Sequence, residues 1–139
     1  MRFTYHCALR WSDMDVYGHV NNARFLTLYE EARVAMMFVG ARELGLTSFE
    51  EGIVIFRHEI DYLRPVDYGD PVRIEMWIDE IRPSRFTVCY ELFDRDAVAS
   101  RARSVCVPFD LERQRPRRLS EAERDFLRPY ADGANLESS

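Results

Sequence analysis

Lysine is absent from this chain; all 19 basic residues are arginine. That absence removes Schiff-base chemistry, a Ser-Lys dyad and a Walker-type phosphate loop, each of which needs an ε-amine. Cysteine is scarce: Cys7, Cys89 and Cys106 lie far apart with no CxxC pair, which argues against a disulfide framework or a zinc ribbon. No stretch of about 18 uninterrupted apolar residues occurs, and the first ten residues alternate instead of forming the apolar centre of a leader peptide. These absences predict a soluble protein of a reducing, cytoplasmic compartment, with no membrane engagement. Positive charge is also in deficit, since 24 acidic against 19 basic groups give a net charge of −5, and nucleic acid is excluded as a partner on that ground.

What is present suits one domain. A chain of 139 residues, 47% apolar, is long enough to bury a core without a metal or disulfide staple. Residues 1–131 are expected to form that domain, and residues 132–139, small and polar, a flexible tail. Phe3, Tyr5, Cys7, Leu9 and Trp11 alternate with polar neighbours and predict a strand over residues 3–11. Phe25, Leu28, Tyr29, Ala32, Ala35, Met36 and Val39 recur at helical spacing, which predicts a helix over residues 22–39 capped by Gly40. Arg24, Thr27, Glu31 and Arg33 give its first half a polar side, whereas residues 34–39 are apolar all round and need something wrapped about them.

Residues 53–63, 72–81, 86–93 and 97–109 each alternate with period two. In the first of these, Phe56, His58, Ile60 and Tyr62 fall on one face. The connectors between the last three strands are short and carry no helical pattern, so the neighbours are antiparallel. Ser120 followed by Glu123 is a capping-box pattern for a short helix reaching about residue 130. The architecture predicted is α+β, a long helix packed on one strongly curved antiparallel sheet.

Ten residues between the first strand and the helix concentrate the chemistry: Asp13, Asp15, His19, Asn21 and Asn22 fall within them. A helix start offers unpaired N–H groups and the positive end of a dipole to a carbonyl oxygen that gains charge. A carboxylate just before it could act on that carbonyl carbon as nucleophile, or as base for a water. The same residues also read as Asx-turns at Asp13 and Asp15, a cap at Asn21 or Asn22 and an ordinary loop histidine, and spacing alone leaves both readings open.

The run Trp11-Ser12-Asp13-Met14-Asp15-Val16-Tyr17-Gly18-His19-Val20-Asn21-Asn22-Ala23-Arg24-Phe25, followed by Tyr29-Glu30-Glu31-Ala32-Arg33, resembles hotdog-fold thioesterases of the 4-hydroxybenzoyl-CoA thioesterase family. It is also similar to the Asp-x-Asp-x-x-x-His-x-Asn-Asn motif of plant acyl-ACP thioesterases. The similarity continues through Tyr62-Leu63-Arg64-Pro65-Val66, Gly69-Asp70 and Phe109-Asp110-Leu111. The resemblance implies a hotdog fold, five antiparallel strands wrapped round a long central helix, with protomers joined edge to edge as a homodimer or homotetramer. It implies hydrolysis of an acyl-CoA or acyl-carrier-protein thioester without a metal or other cofactor.

Carried over residue by residue, the family's catalytic aspartate falls on Asp15 and its carbonyl-polarising amide on the backbone N–H of Asn22, with His19 in the same set. Tyr17, Gly18 and Asn21 are implied substrate contacts, Tyr17 being larger than the residue often found there. Ser84 and Arg85 resemble a turn that family members place near the pantetheine and phosphates of CoA. A non-catalytic acyl-thioester binding module is the alternative. Glu30 and Glu31 are expected as solvated or interface-rim residues, His58 as a core histidine, and Arg113, Arg115, Arg117 and Arg118 as a solvated charged run.

Overall fold

The alternating segments form one curled antiparallel sheet in the computed structural model, which describes residues 1–133. Strands β1 (Phe3–Cys7), β2 (Ile53–Tyr62), β3 (Val72–Arg82), β4 (Arg85–Asp94) and β5 (Ala97–Asp110) stand in the order β1-β3-β4-β5-β2. A two-residue strand, β6 (Arg115–Pro116), adds to the end of β5. Tight connections join β3 to β4 and β4 to β5, and the pairing Arg82 with Arg85 marks a two-residue turn.

Helix α1 (Asn22–Val34) lies against the inner face of this sheet and buries Phe25, Leu28, Tyr29 and Ala32. Opposite stand Val72, Ile74, Met76 and Ile78 of β3 and Phe86, Val88, Tyr90 and Leu92 of β4, all fully buried or nearly so. Each such side chain stabilises the fold by about 1.5–3 kcal/mol relative to exposure.

Several boundaries differ from the sequence expectation. The first strand stops at Cys7, because Asp13 accepts the Arg10 N–H (2.8 Å) and folds residues 11–13 into a 3₁₀ turn that leaves Trp11 exposed. The helix does not end at residue 39: a π turn (Ala35–Gly40) and a last α turn, α2 (Ala41–Glu43), continue it. Gly40 keeps right-handed helical angles, and the left-handed cap falls instead to Gly45 (φ +82°), where the Leu46 N–H reaches back to the Ala41 carbonyl. Val34 and Val39 are exposed, so the apolar end is not enclosed on all sides by the chain itself. Arg33, read as a polar-face residue, is buried.

On β2 a bulge at Phe56 resets the alternation, since Ile55 pairs with Cys106 and Arg57 with Val105. Phe56 therefore faces outward, 74% exposed, while His58, Ile60 and Tyr62 share the side of Ser104, Ala102 and Ser100. His58 is exposed at this edge and not a core histidine; its Nδ1 meets Ser104 Oγ at 2.7 Å. Ser120 and Glu123 form the capping box of α3 (Glu121–Leu127), which passes into a 3₁₀ turn (Arg128–Tyr130). Gly133 is buried beside Trp77, and its carbonyl accepts from Arg2 Nε at 2.9 Å. The remainder of the expected tail, residues 134–139, lies outside the described residues. Among the described residues no helix is long and apolar enough to cross a membrane.

Candidate active site

The loop from β1 to α1 is closed on itself by backbone pairing. Asp15 N–H donates to the His19 carbonyl (2.7 Å), Gly18 N–H to the Asp15 carbonyl (3.2 Å), and Val20 N–H to the Val66 carbonyl (2.8 Å). Gly18 (φ +79°) supplies the left-handed residue this tight reversal needs. Within that frame the two aspartates have different surroundings. Asp13 is buried, takes the Arg10 N–H and lies 3.7 Å from Arg24 Nε, while its carbonyl accepts the Asn21 N–H at 2.8 Å. Asp15 is half-buried, and its Oδ1 accepts two backbone N–H groups, from Tyr17 (2.8 Å) and His19 (3.2 Å). Its Oδ2 has no partner among the described residues.

Asp15, His19 and Asn22 line one cleft of about 360 Å³ with Val20, Phe25, Tyr62, Leu63, Arg64 and Pro65. Asn21 caps α1, its Oδ1 accepting the Ala23 N–H at 3.0 Å, and its carbonyl accepts the Arg24 N–H. This leaves the Asn22 N–H without an acceptor among the described residues, at the positive end of the helix. The Asn22 carbonyl is held by the Tyr62 hydroxyl at 3.0 Å, and Tyr62 stacks edge-on to Phe25 with ring centroids 5.1 Å apart. A fixed carboxylate with one free oxygen and a free helix-start amide thus share a cleft with an apolar wall. That arrangement can add a nucleophilic oxygen to a carbonyl carbon and meet the charge that forms on its oxygen.

The remaining sequence-derived candidates separate. Tyr17 is 80% exposed and does not line the cleft; its contribution is the backbone N–H on Asp15. The imidazole of His19 lies 3.5 Å from Asp67 Oδ1 at the rim. Ser84 and Arg85 line a different groove, about 640 Å³, with Val54, Phe56, Val107 and Phe109 on the opposite face of the sheet's edge. Glu30 is exposed, while Glu31 is half-buried and accepts from Cys7 Sγ at 3.0 Å; burial first, and this contact second, push the Cys7 thiol up to about 12. Arg117 is not part of a solvated run: it holds the buried Glu123. Sequence reasoning gave no role to Phe25 or Tyr62, although helical spacing and strand parity put both on inner faces. Among the described residues no three His, Cys, Asp or Glu side chains gather as a metal site.

Residues 9–128 match the thioesterase-like superfamily, and the chain belongs to it. It is 28% identical over 133 residues, 94% of this chain and 98% of the relative, to the 1,4-dihydroxy-2-naphthoyl-CoA hydrolase of Synechococcus elongatus. A predicted thioesterase from Bacillus stearothermophilus superimposes with a TM-score of 0.84 at 29% identity, covering 94% of this chain and 96% of that one. A thioesterase from Thermus thermophilus, solved with coenzyme A and Zn, superimposes with a TM-score of 0.78 at 30% identity over 92% and 93%. A long helix wrapped by five antiparallel strands is the hotdog fold of these thioesterases.

Proposed function

We propose that this protein hydrolyses acyl-CoA thioesters to free CoA and a carboxylic acid, with Asp15 as the catalytic carboxylate and the Asn22 N–H as the donor to the thioester carbonyl. The observation that carries the proposal is the state of Asp15, pinned through Oδ1 by two amides with Oδ2 open in the cleft at the start of α1. As general base, it takes a proton from water while the water oxygen bonds to the carbonyl carbon. As nucleophile, its oxygen forms that bond, and water then cleaves the resulting anhydride. By either route the C–S bond breaks, the CoA sulfur leaves as thiolate and collects a proton, and the oxyanion formed on the way is met by the Asn22 amide.

His19 is a positioning residue on this reading, its carbonyl accepting the Asp15 N–H and its own N–H donating to Asp15 Oδ1. Gly18 and Tyr17 serve the loop in the same way, and Asn21 orients the helix start. CoA is the carrier assigned, supported by the hydrolase name of the Synechococcus relative and the coenzyme bound to the Thermus protein. Arg85, beside Ser84, offers a guanidinium fork to a CoA phosphate. No metal is assigned, because activation of water falls to Asp15. The ten-residue edge strand β2 has one unpaired side and exposes Val54, Phe56 and Tyr62, which fits a homodimer joined at that edge. Three unpaired cysteines fit a reducing, cytoplasmic setting.

The test is release of free CoA thiol from short, medium, long and aromatic acyl-CoAs, with an acyl-carrier-protein thioester alongside. Turnover of an acyl-CoA is the expected result. Binding without release from any of them would make the protein an acyl-thioester binding module instead.

A further inference from the structure

Of the sheet's two edge strands, β2 has ten residues and β1 five. The residues of β2 restrict how two copies can meet along it. Past the bulge, His58, Ile60 and Tyr62 face inward with Ser104, Ala102 and Ser100, while Arg57, Glu59 and Asp61 face outward. Two identical strands related by a two-fold axis run antiparallel, and residues directly opposite share a face. The axis must fall on one residue and its own copy, since centring it between two residues sets inner positions against outer ones. Charge then selects the residue. An axis on Arg57 opposes two guanidinia, and an axis on Glu59 or Asp61 opposes two carboxylates. An axis on Ile60 sets Glu59 against the partner's Asp61, and axes nearer either end leave most of the strand unpaired.

An axis on His58, near the middle of the strand, sets Arg57 against the partner's Glu59, and does so twice. Within the strand Arg57 Nη2 already meets Glu59 Oε1 at 2.7 Å, so this register lays two such pairs head to tail as an alternating square of four charges. Neither residue has another ion pair among the described residues; Arg103, opposite Glu59 on β5, is held by Asp79 at 2.7 Å. The same register puts the two His58 imidazoles opposite each other, with Cα atoms about 4.5–5.5 Å apart. Nδ1 of His58 is taken by Ser104 Oγ at 2.7 Å, which leaves Nε2 for the partner. Arg33 and Glu30 of α1 are the charged groups facing the ring; on the sheet side Ser104, and the Tyr90 hydroxyl bonded to it, carry no charge. Burial first, and the Arg33 charge second, hold the imidazole below its ordinary value, with Glu30 opposing them. Because the bulge takes up Phe56, Ile55 then meets the partner's Ile60, and Ile53 meets the partner's Tyr62. Tyr62 lines the Asp15 cleft, so each copy supplies Ile53 to the wall of the other's reaction centre.

We propose that β2 pairs with a second copy of itself about His58, and that the facing imidazoles make this association, and with it the closure of the Asp15 cleft, sensitive to acid. The proposal rests on the dimeric reading of this edge and on Asp15 as the reaction centre, and adds their regulation. Neutral rings share the axis without repulsion. Protonation of both sets two cations face to face beside two Arg33 guanidinia, and the copies separate. The dimer thus binds fewer protons than two monomers. Its affinity is full above the monomer's His58 value, itself below about 6.5, and is lost as pH falls through it.

Dilution of fluorophore-labelled protein gives the dimer dissociation constant, read at about pH 7.5 and about pH 5.5. The wild type is expected to bind its partner about tenfold or more weakly at the lower pH, since up to two protons are taken up per dimer. His58→Gln keeps a side chain that can hydrogen-bond Ser104 but not the titration, and is expected to change by no more than about twofold. A wild-type dimer equally tight at both pH values, a monomer at both, or an undiminished response in His58→Gln overturns the proposal. The register is read by cysteine substitution: under mild oxidant His58→Cys is expected to form a disulfide with its own copy, and Ile60→Cys, on the same face, is not. Faster cross-linking at position 60 overturns the register and the proposal with it. The wild-type titration and the cysteine pair carry the test should His58→Gln fail to fold. Association is measured here without turnover. Acid-sensitive pairing with no CoA release from any acyl-CoA would sink the hydrolase reading alone, and CoA release by a protein whose association ignores pH would sink this proposal alone.

Discussion

Glu123 shows what a single charge can do when its partners come from distant parts of the chain. It is fully buried, yet Arg117 grips both its oxygens at 2.8 Å, the Ser48 hydroxyl donates to Oε2 and the Ser120 N–H to Oε1. Burial alone would push the carboxyl up; the Arg117 fork, the Ser120 amide and the Ser48 hydroxyl outweigh it and hold the group below its ordinary value. A folded-state pKa below the unfolded one contributes stability above about pH 4.3, and that contribution is lost as pH falls through the folded value. Glu123→Ala is therefore expected to lower the unfolding free energy by about 3 kcal/mol at neutral pH, and its deficit against wild type to narrow in acid; denaturant titrations at both pH values check this. The capping box was legible in the sequence because Ser120 and Glu123 are three apart, but Arg117 was not, since its role depends on a loop brought in from residue 48. Asp13 and Asp15 make the same point. Sequence puts two carboxylates two residues apart, and only the folded loop shows one spent on Arg10 and Arg24 and the other left with a free oxygen.

At the scale of elements, the strands were the most readable part, because period-two alternation and short connectors leave few other arrangements. The exceptions have local causes. The bulge at Phe56 adds one residue to β2 and so turns Phe56 outward without disturbing the apolar count. The helix runs past Gly40 because packing, and not the glycine, decides where it stops; Gly45 is the residue that adopts the reversing conformation. The opposite end of α1 was legible as a cap, though not as Asn21 in preference to Asn22. Asn21→Ala removes the acceptor of the Ala23 N–H and is expected to cost about 1 kcal/mol, with Asn21→Ser recovering most of it, as read by chemical denaturation. Because the Asn22 N–H sits in the same turn, the alanine variant is also expected to lower kcat.

The whole molecule presents a ten-residue strand at one edge with exposed apolar side chains, beside a helix that exposes Leu26, Val34 and Val39. Edges of that kind pair with something. Light scattering at low micromolar concentration is expected to give a dimer or a dimer of dimers, and a stable monomer would contradict the edge-to-edge arrangement. A second copy laid along β2 would close the Asp15 cleft, a feature no single-chain reading of periodicity contains. On the proposed function, all of this presents one carboxylate to one carbonyl. Asp15→Asn keeps an acceptor for the Tyr17 and His19 amides and removes only the charge and the basic oxygen. Measured as kcat on an acyl-CoA that the wild type turns over, with the unfolding midpoint followed in parallel, Asp15→Asn is predicted to lose on the order of 10²–10⁴-fold while folding normally. A variant that folds normally and retains more than about a tenth of the wild-type kcat would contradict the assignment of Asp15.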